Sequence, residues 1–134
     1  MPDWLNRLAT HPVTLLTVGG ALGTNARYWL GRWIASYPRA QTFPWATFAI
    51  NISGSLLLGL FAVWFLEKRP PDQRKLYLLL GTGFCGGFTT FSTFEFETLQ
   101  LLRAGRWLAA GLYVFGSVAA GLAAVWMAVR VAEG

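Results

Sequence analysis

Four long apolar stretches dominate the chain and leave few residues outside them. They cover residues 12–34, 43–66, 74–102 and 107–130. A bilayer core about 30 Å thick is crossed by a helix of about 20 mostly apolar residues. Four crossings would therefore use most of the 134 residues. We expect an all-α integral membrane protein, with one four-helix transmembrane domain over residues 1–134.

The composition agrees with a membrane protein. Hydrophobic residues make up 54% of the chain and charged residues only 13%, against about 25% charged residues in soluble domains. The formal charge is +5, but the basic residues lie almost wholly between or beside the apolar stretches. We therefore expect lipid headgroups, and no nucleic acid, as their partners. Three apolar stretches follow the first and no Ala-x-Ala site follows it, so a signal peptide is not expected.

The Lys and Arg residues do not indicate an orientation in the membrane. With four crossings, one side of the membrane would have Arg7, Lys68, Arg69, Arg74, Lys75 and Arg130. The other side would have Arg27, Arg32, Arg39, Arg103 and Arg106. Two interpretations stay open. The chain has a weak bias with its N-terminus inside, or it inserts in both orientations and assembles as an antiparallel homodimer.

The third stretch is interrupted by a polar run that carries phenylalanines, Gly86-Gly87-Phe88-Thr89-Thr90-Phe91-Ser92-Thr93-Phe94. Glycines weaken a helix, so we expect the third helix to break here, in the middle of the membrane. Unwound backbone is tolerated at that depth only where protein buries it or where it lines a cavity. Its free carbonyl oxygens would suit a hard cation.

Phe91 and Phe94 are three residues apart and would point to roughly the same side of a continuing helix. Such a pair either packs against lipid or turns its positively polarised ring edges towards an anion. The nearby glycines and hydroxyls weaken the first interpretation.

Polar side chains also share helix faces. Thr47, Asn51 and Ser55 do so in the second stretch, and Tyr113 and Ser117 in the fourth. An amide in the middle of an apolar helix needs hydrogen-bond partners. Asn51 therefore either binds a neighbouring helix or lines a hydrated path.

Three charged residues have two possible positions each. Arg27 either extends to the membrane surface or draws anions into a vestibule. Glu95 and Glu97 are either exposed among headgroups or buried in the second half of the third stretch.

Small residues recur four positions apart, a spacing that favours close helix packing in membranes. The pairs are Gly19 and Gly23, Ser55 and Gly59, Gly83 and Gly87, and Ser117 and Gly121.

The sequence offers no enzyme chemistry. His11 is the single histidine and precedes the first stretch, and Cys85 is the single cysteine and lies within an apolar one. No nucleophile or metal-ligand set accompanies either residue. We expect neither an enzyme nor an organic cofactor.

Taken together, these residues resemble the Fluc family of fluoride channels, also called the CrcB family, over essentially the whole chain. The matching motifs are Gly19-Gly20-Ala21-Leu22-Gly23 with Arg27-Tyr28, Asn51 with Gly54-Ser55, and Gly83-Phe84-Cys85 followed by the Gly86 to Phe94 run. The last motif is the most specific.

The resemblance implies a dual-topology antiparallel homodimer with two fluoride pathways. A structural, untransported Na⁺ at the dimer centre would be held by the backbone carbonyls of Gly86 and Thr89. The implied function is passive export of cytoplasmic fluoride across a bacterial inner membrane.

The same resemblance implies site residues. The fluoride pore would comprise Phe91, Phe94, Asn51, Tyr113 and Ser117. The residues in the vestibule or beside the pore would be Arg27, Thr47, Thr93 and Glu97.

Two other functions remain open from the residues themselves. A proton-coupled efflux transporter needs a titratable carboxylate in its cavity. The first, second and fourth stretches have none, and Glu95 and Glu97 lie in the third, the least suitable one. A membrane scaffold without transport would tolerate Asn51→Ala or Phe94→Ala.

Overall fold

The structure is a computed structural model that describes residues 2–38 and 42–134. Arg39, which enters the charge comparison above, lies outside these ranges. All regular structure in the described ranges is helical. The α-helices are α1 Asp3–Ala9, α2 Pro12–Ala35, α3 Trp45–Ala62, α4 Arg74–Tyr77, α5 Gly86–Phe88, α6 Phe91–Arg103 and α7 Trp107–Glu133.

Wider π-helical turns extend two of these helices. Val63–Glu67 continues α3, and Leu78–Cys85 joins α4 to α5 without interruption. A short 3₁₀ turn, Pro71–Gln73, precedes α4. The third apolar stretch therefore runs as one helical segment over residues 74–88, which we call the first half, and resumes as α6.

Two helices of the described chain are long and apolar enough to cross a membrane, Trp45–Glu67 and Trp107–Glu133. They correspond to the second and fourth predicted stretches. Helix α2 has 24 residues but contains Arg27 and Arg32, and the third stretch is divided into two halves. The expectation of an all-helical protein is confirmed in the described ranges, and the two long apolar helices are consistent with a membrane protein. Four crossings stay a prediction.

Apolar side chains cover much of the outer surface. Trp107, Leu108 and Phe115 on α7 are 69%, 78% and 77% exposed. The buried core is small by comparison and surrounds Tyr113 of α7, with Leu101 of α6 packed close by. An apolar exterior of this extent indicates contact with lipid or with another apolar protein surface.

Glycines bring α2 against the first half of the third stretch. A Cβ atom on Gly19 would overlap the carbonyl oxygen of Leu79, and one on Gly23 would overlap that of Phe84. Gly83 faces Gly19 across the same contact. This confirms that these small-residue pairs serve helix packing, here within one chain.

Small residues also set the contact between α3 and α7. A Cβ atom on Gly59 would lie 2.9 Å from the Cβ atom of Ala128, and Gly121 faces Ser55 and Ile52. The two long apolar helices therefore pack closely along one side.

The helix breaks at Thr89 and Thr90, within the predicted Gly86 to Phe94 run but after its glycines. Gly86 and Gly87 are helical, whereas Thr89 has φ −77° and ψ 158° and Thr90 has φ −149° and ψ 114°. Close packing against α2 stabilises the glycine-rich helix. Helix α6 then begins with Thr90 as N-cap, because its side chain accepts a hydrogen bond from the Thr93 N–H.

Candidate functional site

Asn51 of α3 binds both backbone groups of Thr90 at the break. Its Oδ1 accepts from the Thr90 N–H at 2.7 Å, and its Nδ2 donates to the Thr90 carbonyl at 3.0 Å. Of the two interpretations given above, the structure places Asn51 in contact with a neighbouring segment. The Asn51 amide has a second N–H, which is not used in the bond to Thr90.

Arg27 of α2 binds the other residue of the break. Its Nη1 donates to the Thr89 carbonyl at 3.0 Å, and the side chain is half-buried. Arg27 therefore points into the protein at the break, and the interpretation that it extends to the membrane surface is not supported. A fixed guanidinium here makes the break electropositive.

A cavity of about 500 Å³ opens beside the break. Asn51, Thr89, Thr90 and Phe91 line it, and Gly86 lies on its wall. No other side chain would meet a Cβ atom on Gly86 within 4 Å. The residues of the break and the Cα atom of Gly86 therefore adjoin open space.

Aromatic rings continue from the break along α6. The ring centroids of Phe91 and Phe94 are 5.9 Å apart, which confirms that the two point to the same side. Phe94 lies 4.9 Å from the Tyr113 ring, whereas Phe91 is 70% exposed. Phe94 is therefore partly buried against the core, and Phe91 is open.

The Glu97 carboxylate lies one helical turn beyond Phe94. Its Oε1 accepts from the Thr47 hydroxyl at 2.9 Å and its Oε2 from the Tyr113 hydroxyl at 2.7 Å. Thr47 and Tyr113 are buried and Glu97 is half-buried. Of the two depths considered for the acidic residues, Glu97 has the inner one and Glu95 is exposed.

A second cavity, of about 330 Å³, reaches Glu97 from the other end. Gln100 and Arg106 line it together with Glu97. The Arg106 guanidinium is fixed by a hydrogen bond to the Thr42 carbonyl. A basic group and a carboxylate therefore line the same cavity.

Ser117 and Thr93 complete the predicted set. The Ser117 hydroxyl is buried and has no hydrogen-bond partner within the described ranges. Thr93 is exposed, and its hydroxyl accepts from that of Thr90 at 3.0 Å. Ser117 is on the α7 helix face that also carries Tyr113, as predicted. The Tyr113 hydroxyl, however, donates its hydrogen bond to Glu97.

Sequence reasoning did not find Arg106. The signal was available, since Arg106 is a basic residue directly before a long apolar helix, but its contact with Thr42 spans 64 positions. Nor did it find α1, a seven-residue helix whose Trp4 and Leu8 are exposed.

The described residues offer no side-chain metal centre: residues 2–38 and 42–134 hold no group of three or more His, Cys, Asp and Glu placed to bind a metal ion. What they do offer is a polar path of amide, ring edges and hydroxyls beside an interrupted helix. The fold and the site define a small helical membrane protein with groups suited to a small ion.

Comparison with known proteins identifies the family. The family model described as "CrcB-like protein, Camphor Resistance (CrcB)" matches residues 14–129. The chain belongs to the CrcB family, and the expected family resemblance is confirmed.

Curated relatives are similar over nearly the whole chain. "Fluoride-specific ion channel FluC 2" of Rhodococcus jostii is 48% identical over 118 residues, which cover 88% of this chain and 96% of the relative. "Fluoride-specific ion channel FluC" of Oceanobacillus iheyensis is 44% identical over 90% of each chain. The protein of that name from Paramagnetospirillum magneticum is 49% identical over 84% of this chain and 88% of its own. The relatives are named as channels, so the family is one of ion channels rather than of enzymes.

Proposed function

We propose that the chain is a fluoride-selective ion channel that lets cytoplasmic fluoride leave passively across a bacterial inner membrane. The observation that carries the proposal is the naming of relatives 44–49% identical as fluoride-specific ion channels. The path of Phe91, Phe94 and Tyr113 supports it, because these residues form one continuous row in the structure.

The proposed path begins in the cavity beside the break and passes the Phe91 and Phe94 rings. It continues past the Tyr113 and Glu97 pair and opens through the second cavity at Arg106. Fluoride is small and strongly hydrated, so it enters a narrow path only where fixed donors and polarised ring edges replace its water. The Phe91 and Phe94 ring edges are neutral, and neutral groups release the ion more readily than fixed charges would, which conduction requires.

The proposed assembly is an antiparallel homodimer in which each chain inserts in the opposite orientation. The balance of Lys and Arg between the two sides supports this, because neither orientation is favoured. The exposure of Phe91 also supports it, since a second copy could cover the ring and the cavity beside it. Tags at the C-terminus should then be accessible from both sides of the membrane in about equal amounts.

The proposed structural Na⁺ would be held by the carbonyls of Gly86 and Thr89 from both protomers. The Gly86 carbonyl fits, because the Thr90 N–H that would bind it in a continuing helix donates to Asn51 instead. The Thr89 carbonyl already accepts from Arg27 and has one remaining lone pair. A hard cation bound there would join the two protomers without any carboxylate ligand.

The direct test is fluoride efflux from liposomes that contain the purified protein, followed with a fluoride electrode in the presence of Na⁺. The proposal predicts rapid efflux that needs no energy source once a counter-ion can move. Efflux no faster than from protein-free liposomes would disprove it.

A proton-coupled fluoride transporter is the second candidate. The position of Glu97 favours it, because a half-buried carboxylate lies directly on the proposed path. Such a transporter would accumulate fluoride against its gradient when a pH gradient is imposed, and Glu97→Gln would abolish this coupling. A channel would not accumulate fluoride under a pH gradient.

A further inference from the structure

The break in the third helix has a partner for every backbone polar group of its two residues. The Thr89 N–H donates to the Cys85 carbonyl at 2.9 Å, and the Thr89 carbonyl accepts from Arg27. Both groups of Thr90 bind the Asn51 side chain. Side chains of α2 and α3 thus supply the hydrogen bonds that an unbroken helix would have made within itself.

We propose that Asn51 is a positioning residue that keeps Thr90 extended and thereby holds the Gly86 carbonyl open to the cavity for a cation. This inference rests on the proposed function, because it concerns the cation site of that channel. It differs from the role expected from the sequence, in which the Asn51 amide donates directly to fluoride.

Asn51 and the Gly86 carbonyl compete for the Thr90 N–H. In a continuous α-helix this group would donate to the Gly86 carbonyl, four residues earlier. Asn51 takes the N–H at 2.7 Å, so the helical bond cannot form at the same time. Gly86 lines the 500 Å³ cavity, so its carbonyl, without the helical partner, is available as an oxygen ligand for a hard cation.

An amide is the side chain that this position requires. Thr90 presents a donor and an acceptor together, and a carboxamide offers one acceptor and one donor in the same plane. A carboxylate could accept from the N–H but could not donate to the carbonyl. A hydroxyl would be too short to reach both groups from the same α-carbon.

The neighbouring residue Ser53 provides a matched control. It lies two positions further along α3, and its hydroxyl donates to the Ala49 carbonyl of its own helix at 2.7 Å. Ser53→Ala therefore removes a polar group from the same helix without touching the break.

The test combines two measurements on Asn51→Leu, Asn51→Asp, Ser53→Ala and the unaltered chain. The first is hydrogen exchange at the Thr90 amide, followed by NMR on the purified protein. We expect exchange at saturating NaCl, where the cation occupies the Gly86 carbonyl, to be about tenfold faster in Asn51→Leu, the factor for losing a hydrogen bond of about 1.4 kcal/mol. Asn51→Asp, which keeps the acceptor, and Ser53→Ala should retain protection.

The second measurement is the unfolding temperature as a function of NaCl concentration, with choline chloride holding the ionic strength constant. The value compared is the NaCl concentration that gives half of the maximal rise in unfolding temperature. We expect Asn51→Leu to need about tenfold more Na⁺, because the Thr90 N–H can then donate to the Gly86 carbonyl and competes with the cation for it. Ser53→Ala should match the unaltered chain.

Three results would overturn the proposal. One is an unchanged Thr90 exchange rate in Asn51→Leu, which would leave Asn51 as a direct donor to fluoride. Another is faster exchange with an unchanged Na⁺ response. If Asn51→Leu does not fold, a loss of Thr90 protection in Asn51→Asp would be the contradicting result.

Neither measurement depends on fluoride transport. If the unaltered chain fails to conduct fluoride while Asn51→Leu changes Thr90 exchange and the Na⁺ response as expected, the proposed function is wrong and the positioning role stands. If the chain conducts and the two responses do not change, the positioning role alone is wrong.

Discussion

Tyr113 and Glu97 are joined by a hydrogen bond of 2.7 Å from the phenol to Oε2 of the carboxylate. The bond connects α7 to α6, and Thr47 of α3 donates to the other carboxylate oxygen. Three helices therefore meet at one carboxylate. Because both donors are buried, this junction holds the Phe94 end of the proposed path in a fixed geometry.

Removal of the phenol hydroxyl should destabilise this junction. Tyr113→Phe leaves the ring in place and takes one donor from a half-buried carboxylate, at a cost of about 1.5–3 kcal/mol. We expect a lower unfolding temperature for the purified protein and slower fluoride efflux. Tyr37→Phe, at an exposed position outside the site, should change neither. Equal unfolding temperatures for the two variants would contradict the account.

Loss of the Phe94 ring should slow transport more than it affects folding. Phe94→Ile keeps an apolar side chain but removes the aromatic ring, and its polarised edge, whose centroid lies 4.9 Å from that of Tyr113. We expect fluoride efflux to fall by about tenfold or more, which corresponds to about 1.4 kcal/mol or more in the barrier. Phe96→Ile is the control, since Phe96 is on the same helix and 59% exposed. A similar loss of fluoride efflux in Phe94→Ile and Phe96→Ile would show that the effect comes from altered packing and not from the Phe94 ring edge.

The basic residue at the second cavity should act on fluoride through its charge. Arg106→Gln is expected to reduce efflux about two- to fivefold at low salt and not at 1 M salt, where the Debye length is about 3 Å. Arg103→Gln removes an exposed charge from the end of α6 that does not line the cavity. An Arg106→Gln effect that persists at high salt, or that Arg103→Gln reproduces, would refute charge attraction at this opening.

The contact between α2 and the first half of the third stretch should tolerate no added methyl group. Gly23→Ala would place a Cβ atom against the Phe84 carbonyl, and overpacking of this kind costs about 1–3 kcal/mol. Gly111→Ala on α7 meets nothing within 4 Å and should be neutral or slightly stabilising. Unfolding temperatures of the two variants measure the difference. A Gly23→Ala variant as stable as Gly111→Ala would contradict the packing described.

Periodicity and hydropathy predicted the helical class, the extents of the apolar stretches and the shared side of Phe91 and Phe94. These features depend on residues within one helix, so local pattern is sufficient. The same reasoning placed an interruption in the third stretch, and α5 does end at Phe88.

The position of the break and the partners in the site were not predictable in this way. Glycines lower the stability of a helix, yet Gly86 and Gly87 are helical, because this helix packs against α2, some 60 positions earlier in the chain. Asn51 and Thr90 are 39 positions apart, and no local pattern says which polar group will meet the amide. The depth of Glu97 likewise depends on Thr47, 50 positions away.

The most direct test of the central claim is the reversal potential of currents through the purified protein in a planar bilayer. With a tenfold fluoride gradient, equal chloride and equal pH on both sides, a fluoride-selective channel should reverse about 59 mV from zero, at the fluoride equilibrium potential. Adding a pH gradient should leave that value unchanged. Reversal near zero, or a reversal potential that follows the pH gradient, would contradict the account.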